Sequence, residues 1–398
     1  MNILSKMKSL LQSKVIYGTR DYKRYIIIVI FVPIPFFIFL AILLYLYDPM
    51  QVFHKPYWRD TKFFNYEGHA RHAAKGVIDH YDFNSMILGS SMMFQSSELQ
   101  ADTMLGGKWV NFASGGMGIG EKAEILKYAL KHKEIKKVIM DIGWFHVTHK
   151  SRTNYLYDDI QYNDMRLYFD VKFALCALRW SSNPKCIGEF DTYRQGMVGY
   201  SLESNGLSFE EGARDWLSRN NAIGPKGTGI TVGRLIEYEK YPFNPTPYPI
   251  DEAKKKRHEE FLNYNMLDIA RKYPNVKFYF IVPTYSRITY RLQSEVQDFY
   301  EWRWVLKYFV EMSKDMDNVR IYGFDDMDYA DNLGNYPDNT HYGADMNALH
   351  IESIAKDLHI LNMQTIDSYL ETTQTKIQNY DLESLRKIYF EVNPDKNN

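Results

Sequence analysis

Met86-Ile87-Leu88-Gly89-Ser90-Ser91-Met92 is the stretch that decides the fold. Three large apolar residues run into a glycine and two serines, which reads as a buried strand ending in a turn that opens a helix. Four further short apolar runs repeat the pattern with Ser85–Leu88: Trp109–Phe112, Lys137–Ile142, Val276–Val282 and Val319–Tyr322. Helical spacing fills the intervals. Lys122–His132 sets Ala123, Leu126, Ala129 and Leu130 on one face, Glu252–Lys272 and Arg291–Met316 are longer helical stretches, and Ala344–Leu358 follows the last strand. Strands alternating with helices imply a parallel sheet covered on both faces, an α/β/α sandwich of three layers.

Two segments break this rhythm. Residues 151–250 are rich in Tyr, Asn, Gly and Arg, with Pro242, Pro245, Pro247 and Pro249 near the end, and read as a partly helical insertion over one end of the sheet. Residues 363–398 form a polar tail, helical in part.

Before the sheet lies an uncharged apolar run, Tyr25–Tyr47. About 20 such residues at about 1.5 Å each cross a hydrocarbon core about 30 Å thick. Pro33 and Pro35 interrupt it, which lipid tolerates as a kink, and Tyr45, Tyr47, Asp48 and Pro49 end it as an interfacial belt and a helix stop. A retained anchor is favoured over a cleaved signal peptide, whose apolar core is shorter and ends in small residues. Lys6, Lys8, Lys14, Arg20, Lys23 and Arg24 precede the run against Asp21 alone, so residues 1–24 are expected in the cytoplasm and the rest outside it. The expected order is then a cytoplasmic segment 1–24, a membrane span 25–47, a linker and lead-in 48–80, a domain 81–362 carrying the insertion, and the tail.

Composition excludes some partners. A net charge of −1 gives no basic footprint for nucleic acid. Aromatic content of 16%, with 32 Tyr, suits a sugar-binding cleft as well as an ordinary core. Cys176 and Cys186 are the only cysteines; they either pair across a short loop or stay as buried thiols, and they do not make a zinc site. The His69/His72 and His146/His149 pairs lack an acidic partner pattern and read as loop or surface residues.

Three local features carry chemistry. Ser90-Ser91 ends the first strand, where a hydroxyl either caps a helix or projects from the sheet's carboxyl edge towards helix N–H groups. Asn111-Phe112-Ala113-Ser114-Gly115-Gly116-Met117 follows the second strand, with glycines that let an N–H approach a ligand. Gly116, Gly118 and Gly120 miss the dinucleotide spacing because residue 121 is Glu, and no phosphate-loop Lys-Ser/Thr is present. Asp338-Asn339-Thr340-His341 lies far downstream; an imidazole can take a serine proton near neutral pH while a carboxylate orients it. Tyr285 and Arg287 fall on the same presumed edge and suit a cleft-lining loop.

Taken together and in this order, the three features resemble the SGNH (GDSL-like) hydrolase superfamily. The resemblance spans about residues 85–358 and implies a flavodoxin-like parallel sheet. It makes Ser91 the nucleophile, His341 the general base and Asp338 its orienting carboxylate. Ser91 and Gly116 would supply oxyanion-hole N–H groups, and no cofactor or metal is implied. Gly89-Ser90-Ser91 replaces Gly-Asp-Ser, a form similar to the membrane-anchored DltD-like and alginate-acetylation-like branches. The third block, usually Gly-x-Asn-Asp, reads Asp141-Ile142-Gly143-Trp144, so its oxyanion Asn is missing. At the third strand's end, Asp141 and His146 are left as candidates for substrate binding. The implied activity is acyl transfer, acetyl first, to a cell-envelope glycan. The expected place is the cytoplasmic (inner) membrane, single-pass, with the domain periplasmic or extracellular. A multi-pass membrane acyltransferase is the implied partner, and an esterase or a weak glycan-binding assembly protein is the alternative.

Overall fold

The structure, a computed structural model, describes residues 25–26, 29, 31–64, 66–143, 154–194, 206–243, 249–293 and 296–396. Helix α1 (Pro33–Tyr47) leads into α2 (Tyr66–His80) and strand β1 (Ser85–Leu88). Then come α3 (Glu98–Leu105), β2 (Trp109–Asn111), α4 (Ile119–His132) and β3 (Lys137–Asp141). The region after β3 contributes α5 (Val171–Leu178), α6 (Phe209–Arg219) and α7 (Thr228–Ile236). Helix α8 (Glu252–Leu262) continues through a π-helical turn, Asn263–Leu267, to Lys272 and leads to β4 (Lys277–Val282). The chain closes with α9 (Val296–Ser313), β5 (Val319–Gly323), α10 (Ala344–Lys356), β6 (Ile360–Leu361), α11 (Ile366–Gln378) and α12 (Leu382–Val392).

The sheet runs β2-β1-β3-β4-β5-β6. All pairs are parallel except β5–β6, which is antiparallel and corrects the expectation of a purely parallel sheet. The two-residue edge strand has no apolar run of its own to announce it. Successive strand residues face opposite sides, and the core divides accordingly. Met86, Leu88, Val138, Met140, Phe278 and Phe280 belong to one apolar cluster with residues of α2, α4, α8 and α9. Ile87, Ile139 and Ile281 belong to a second cluster with residues of α6, α7, α10 and α12. The chain is thus an α/β protein with a buried, mostly parallel central sheet.

Strand order reverses direction at β1, with β2 on one side and β3 on the other. Such a switch point opens a crevice at the strands' carboxyl ends. Ser91 at the end of β1 meets His341 and Asp338 at this edge.

The stretch after β3 is two structures rather than one lid. Residues around α5 join the α2 and α4 side, where Phe63 bridges Phe190 and the Cys176–Cys186 disulfide is formed. Residues of α6 and α7 join the opposite side. The polar tail is likewise integrated: Leu385 and Tyr389 of α12 are fully buried. The segment after α1 is no loose linker, since the Asp48 carboxylate accepts the N–H groups of Val52, Phe53 and His54 and the Tyr168 hydroxyl.

Among the described residues no helix is long and apolar enough to cross a membrane; α1 has 15 residues. Positions 27, 28 and 30 of the apolar run, and all of the basic flank, lie outside the described residues.

Candidate active site

The β1 strand ends where Gly89 turns. A Cβ there would stand 2.3 Å from the Met93 Cβ, so only glycine lets the chain fold back. Ser90 is the cap of the following 3-10 turn, Ser91–Met93, and its hydroxyl accepts the Met92 N–H. The two serines therefore divide the roles read for them: Ser90 caps and is buried, while Ser91 stays partly open.

The Ser91 hydroxyl lies 2.7 Å from His341 Nε2. His341 Nδ1 lies 2.7 Å from Asp338 Oδ2. A carboxylate only accepts, which assigns the proton to Nδ1 and leaves Nε2 free to accept from Ser91. Asp338 Oδ1 meanwhile accepts the backbone N–H groups of Thr340 and His341, at 2.7 and 2.8 Å. Burial alone pushes the Asp338 carboxyl upward, but His341 and these two N–H groups outweigh it and hold it below the usual carboxylate range.

The loop carrying this pair is clamped by the α6–α7 region. Trp216 donates its indole N–H to the Asp338 carbonyl, and Asn220 donates to the Pro337 carbonyl. Ser286 and Thr289 both donate to the Asn339 carbonyl, while Thr228 donates to its side-chain oxygen.

The second-strand loop reaches the same edge. The Phe112 and Ser114 N–H groups donate to the Ile87 and Gly89 carbonyls, so this loop extends the sheet's pairing up to Ser91's turn. Gly116 is exposed with φ +62°, a conformation glycine adopts freely, and the space beside it is open. Arg71, from α2, donates to the Gly115 carbonyl at 2.7 Å and faces the buried Glu121 carboxylate at 3.6 Å. Sequence reading missed Arg71; nothing in its neighbourhood along the chain marks it.

Asp141 takes a different role from the one expected. It is fully buried, so a substrate-binding role is excluded. Its Oδ1 accepts the Ser90 N–H at 3.0 Å and pairs with Lys122 Nζ at 2.6 Å, while Oδ2 accepts the Ser90 hydroxyl at 2.7 Å. Lys122 also donates to the Asp141 carbonyl. Counting Lys122 as an ordinary helix residue hid the pair; a lysine on the apolar stripe beside Ala123 and Leu126 was the available signal.

Asn111 does not replace the missing oxyanion amide, because its NH₂ donates to the Met93 and Ser96 carbonyls. Trp144, His146 and His149 lie outside the described residues. Tyr285 and Arg287 do not line a cleft: both are buried, and Arg287 is spent on Asp331 and on the carbonyls of Asp325 and Met327. Among the described residues no cluster of His, Cys, Asp and Glu could hold a metal.

Compared with known proteins, the chain matches no protein-family model and no curated protein. A hydroxyl, an imidazole with its acceptor nitrogen towards it and an orienting carboxylate are the parts of an activated oxygen nucleophile.

Proposed function

We propose that this chain is a serine enzyme of acyl-ester chemistry with an SGNH-like, three-layered domain. The observation that carries this is the continuous relay from Ser91 through His341 to Asp338. As an acyl ester binds, Ser91 Oγ attacks the carbonyl carbon and its proton passes to His341 Nε2. The tetrahedral oxyanion is met by the N–H groups of Ser91 and Gly116. Collapse breaks the bond to the leaving oxygen, which takes the proton from His341, and the acyl group stays on Ser91. An acceptor hydroxyl then gives its proton to His341, attacks the acyl carbon and releases Ser91. Asp338 remains ionised throughout and steadies the imidazolium.

The preferred donor group is acetyl and the preferred acceptor a hydroxyl of a cell-envelope glycan. This choice is supported by the apolar N-terminal run Tyr25–Tyr47, read as an anchor, and by the Gly-Ser-Ser form. A multi-pass acyltransferase would supply acyl groups from the membrane. Water as acceptor would make the same site an esterase.

The full chain in detergent, incubated with an acetyl ester and a serine-directed fluorophosphonate, separates these readings. Labelling at Ser91 with turnover that rises on adding glycan acceptor supports transfer. Turnover indifferent to acceptor supports hydrolysis. Neither labelling nor turnover leaves the glycan-binding alternative and sinks the catalytic reading.

A further inference from the structure

Helix α5 is apolar on two opposite sides. Phe173, Cys176 and Ala177 face the core. Val171, Ala174, Leu175 and Leu178, spaced i, i+3, i+4 and i+7, form a second stripe on the outside. Val171 is 75% exposed, and Phe169 in the preceding turn is 78% exposed. Leaving such a stripe in water forfeits the free energy gained by covering it. A helix apolar on all sides belongs in a packed core or in lipid.

The neighbours of this stripe indicate which. Tyr168, Phe169, Asp170, Val171 and Ala174 share with α1 a mostly apolar groove of about 690 Å³, whose other wall runs from Ile34 to Leu44. That wall is about 15 Å of helix at about 1.5 Å per residue, comparable with one leaflet's share of a hydrocarbon core about 30 Å thick. At the α1 end sit the side chains that favour a headgroup level. Tyr47 stacks on Trp58, the Trp58 and Trp180 rings are 4.7 Å apart, and Tyr57 is exposed. Lys172, Arg179 and Lys185 are exposed around the same face. The Lys172 ammonium stands 5.4 Å from the centroid of the Phe173 ring, a cation–π approach.

We infer that this face is a second membrane contact: Phe169 and the outer stripe of α5 lie in the outer leaflet beside α1, with Trp180 and Tyr57 at headgroup level. The inference rests on the anchored reading of α1 and is independent of the role given to Ser91. Held at α1 and α5 together, the domain could not swivel freely about a single helix. The Cys176–Cys186 disulfide ties α5 to the segment that pairs with Phe63.

The test uses the full chain reconstituted into phosphatidylcholine–phosphatidylglycerol vesicles carrying a photoactivated carbene probe in the acyl chain. Adducts are mapped by mass spectrometry, with fluorophosphonate labelling of Ser91 in the same samples. Adducts are expected on α1 and on Phe169–Leu178, and not on the exposed Leu99 or Ile223. The V171D/L175D/L178D variant should lose the adducts on that peptide while Ser91 labelling is unchanged. L175D alone, at an already exposed position, should show a partial loss if the triple variant fails to fold. Adducts on α1 alone, or adducts that persist in the triple variant, overturn the inference. Adducts on neither overturn the anchor as well. Adducts in both places without Ser91 labelling would leave the membrane contact standing and remove only the catalytic reading.

Discussion

Ser91 and His341 are 250 residues apart in the chain and 2.7 Å apart in the fold. The contact joins the first strand's turn to a loop held by Trp216, so neither partner is positioned by its own neighbourhood alone. If this pair is the reacting one, Ser91→Ala abolishes fluorophosphonate labelling and His341→Ala nearly does. Asp338→Asn keeps the loop in place but lets the ring take the wrong tautomer, with a loss on the order of 10,000-fold in turnover. Steady-state rates of an acetyl ester, with folding checked by circular dichroism, decide it. Wild-type rates in the Asp338→Asn variant would show that the carboxylate has no part.

Gly116 and Gly89 should fail in different ways. At Gly116 an added methyl meets open space, and the cost is the left-handed backbone, about 1–2 kcal/mol. Relaxation of that strain turns its N–H away, so Gly116→Ala should fold and lose about 100- to 1,000-fold in turnover, as expected for one oxyanion donor. At Gly89 the methyl collides with Met93, so Gly89→Ala should lower thermal stability first. An unchanged rate in a folded Gly116→Ala protein removes this glycine from the proposed hole.

The Lys122–Asp141 pair is enclosed on all sides, with both side chains at 0% exposure. Asp141→Asn strands an ammonium ion in the core, and about 3–5 kcal/mol should be lost in urea unfolding. The double variant Lys122→Met/Asp141→Asn removes both charges and should recover most of that loss. A double variant as unstable as the single one would mean that the hydrogen bonds to Ser90, not charge pairing, dominate.

Asp325 and His350 should pull stability in opposite directions with pH. Burial pushes Asp325 up to about 7, against hydrogen bonds from Tyr290 and Tyr369 and the Arg287 charge. Between about pH 4 and that value the folded chain holds a proton that the unfolded chain has released, so this group's contribution falls as pH rises. Burial pushes His350 down to about 3. Between its ordinary value of about 6.5 and that point only the unfolded chain is protonated, so its contribution falls as pH drops. The wild-type curve mixes the two, and the difference from Asp325→Asn isolates the first. The variant's relative stability should climb by a few kcal/mol from about pH 5 to about pH 8. A flat difference curve in denaturant melts contradicts the protonated Asp325.

The parallel strands were legible in the sequence because each is a short apolar run buried on both faces. Ser85–Leu88 has the bounds its sequence announces, and Lys137–Ile142 and Val319–Tyr322 differ by one residue at their C-terminal ends. The Ser91, Asp338 and His341 triplet was legible through motif order. What escaped depends on contacts between distant segments. The antiparallel β6 has two residues and no periodicity to detect. Arg287 reads as a polar loop residue until Asp331 and two carbonyls surround it. The region after β3 looks like one insertion because its composition is uniform, although its two halves join opposite faces of the sheet.

Ser90, Lys122 and Asp141 come from a strand end, a helix and a second strand end, and exchanging Asp141 by itself takes the shared partner from the other two. A change there would have to arrive in concert with theirs. Gly115 is exposed and engages Arg71 only through its backbone carbonyl, so its side-chain position can be exchanged by itself. The floor beneath Ser91 is thereby the part of this molecule that tolerates single exchanges least, and its rim the part that tolerates them most.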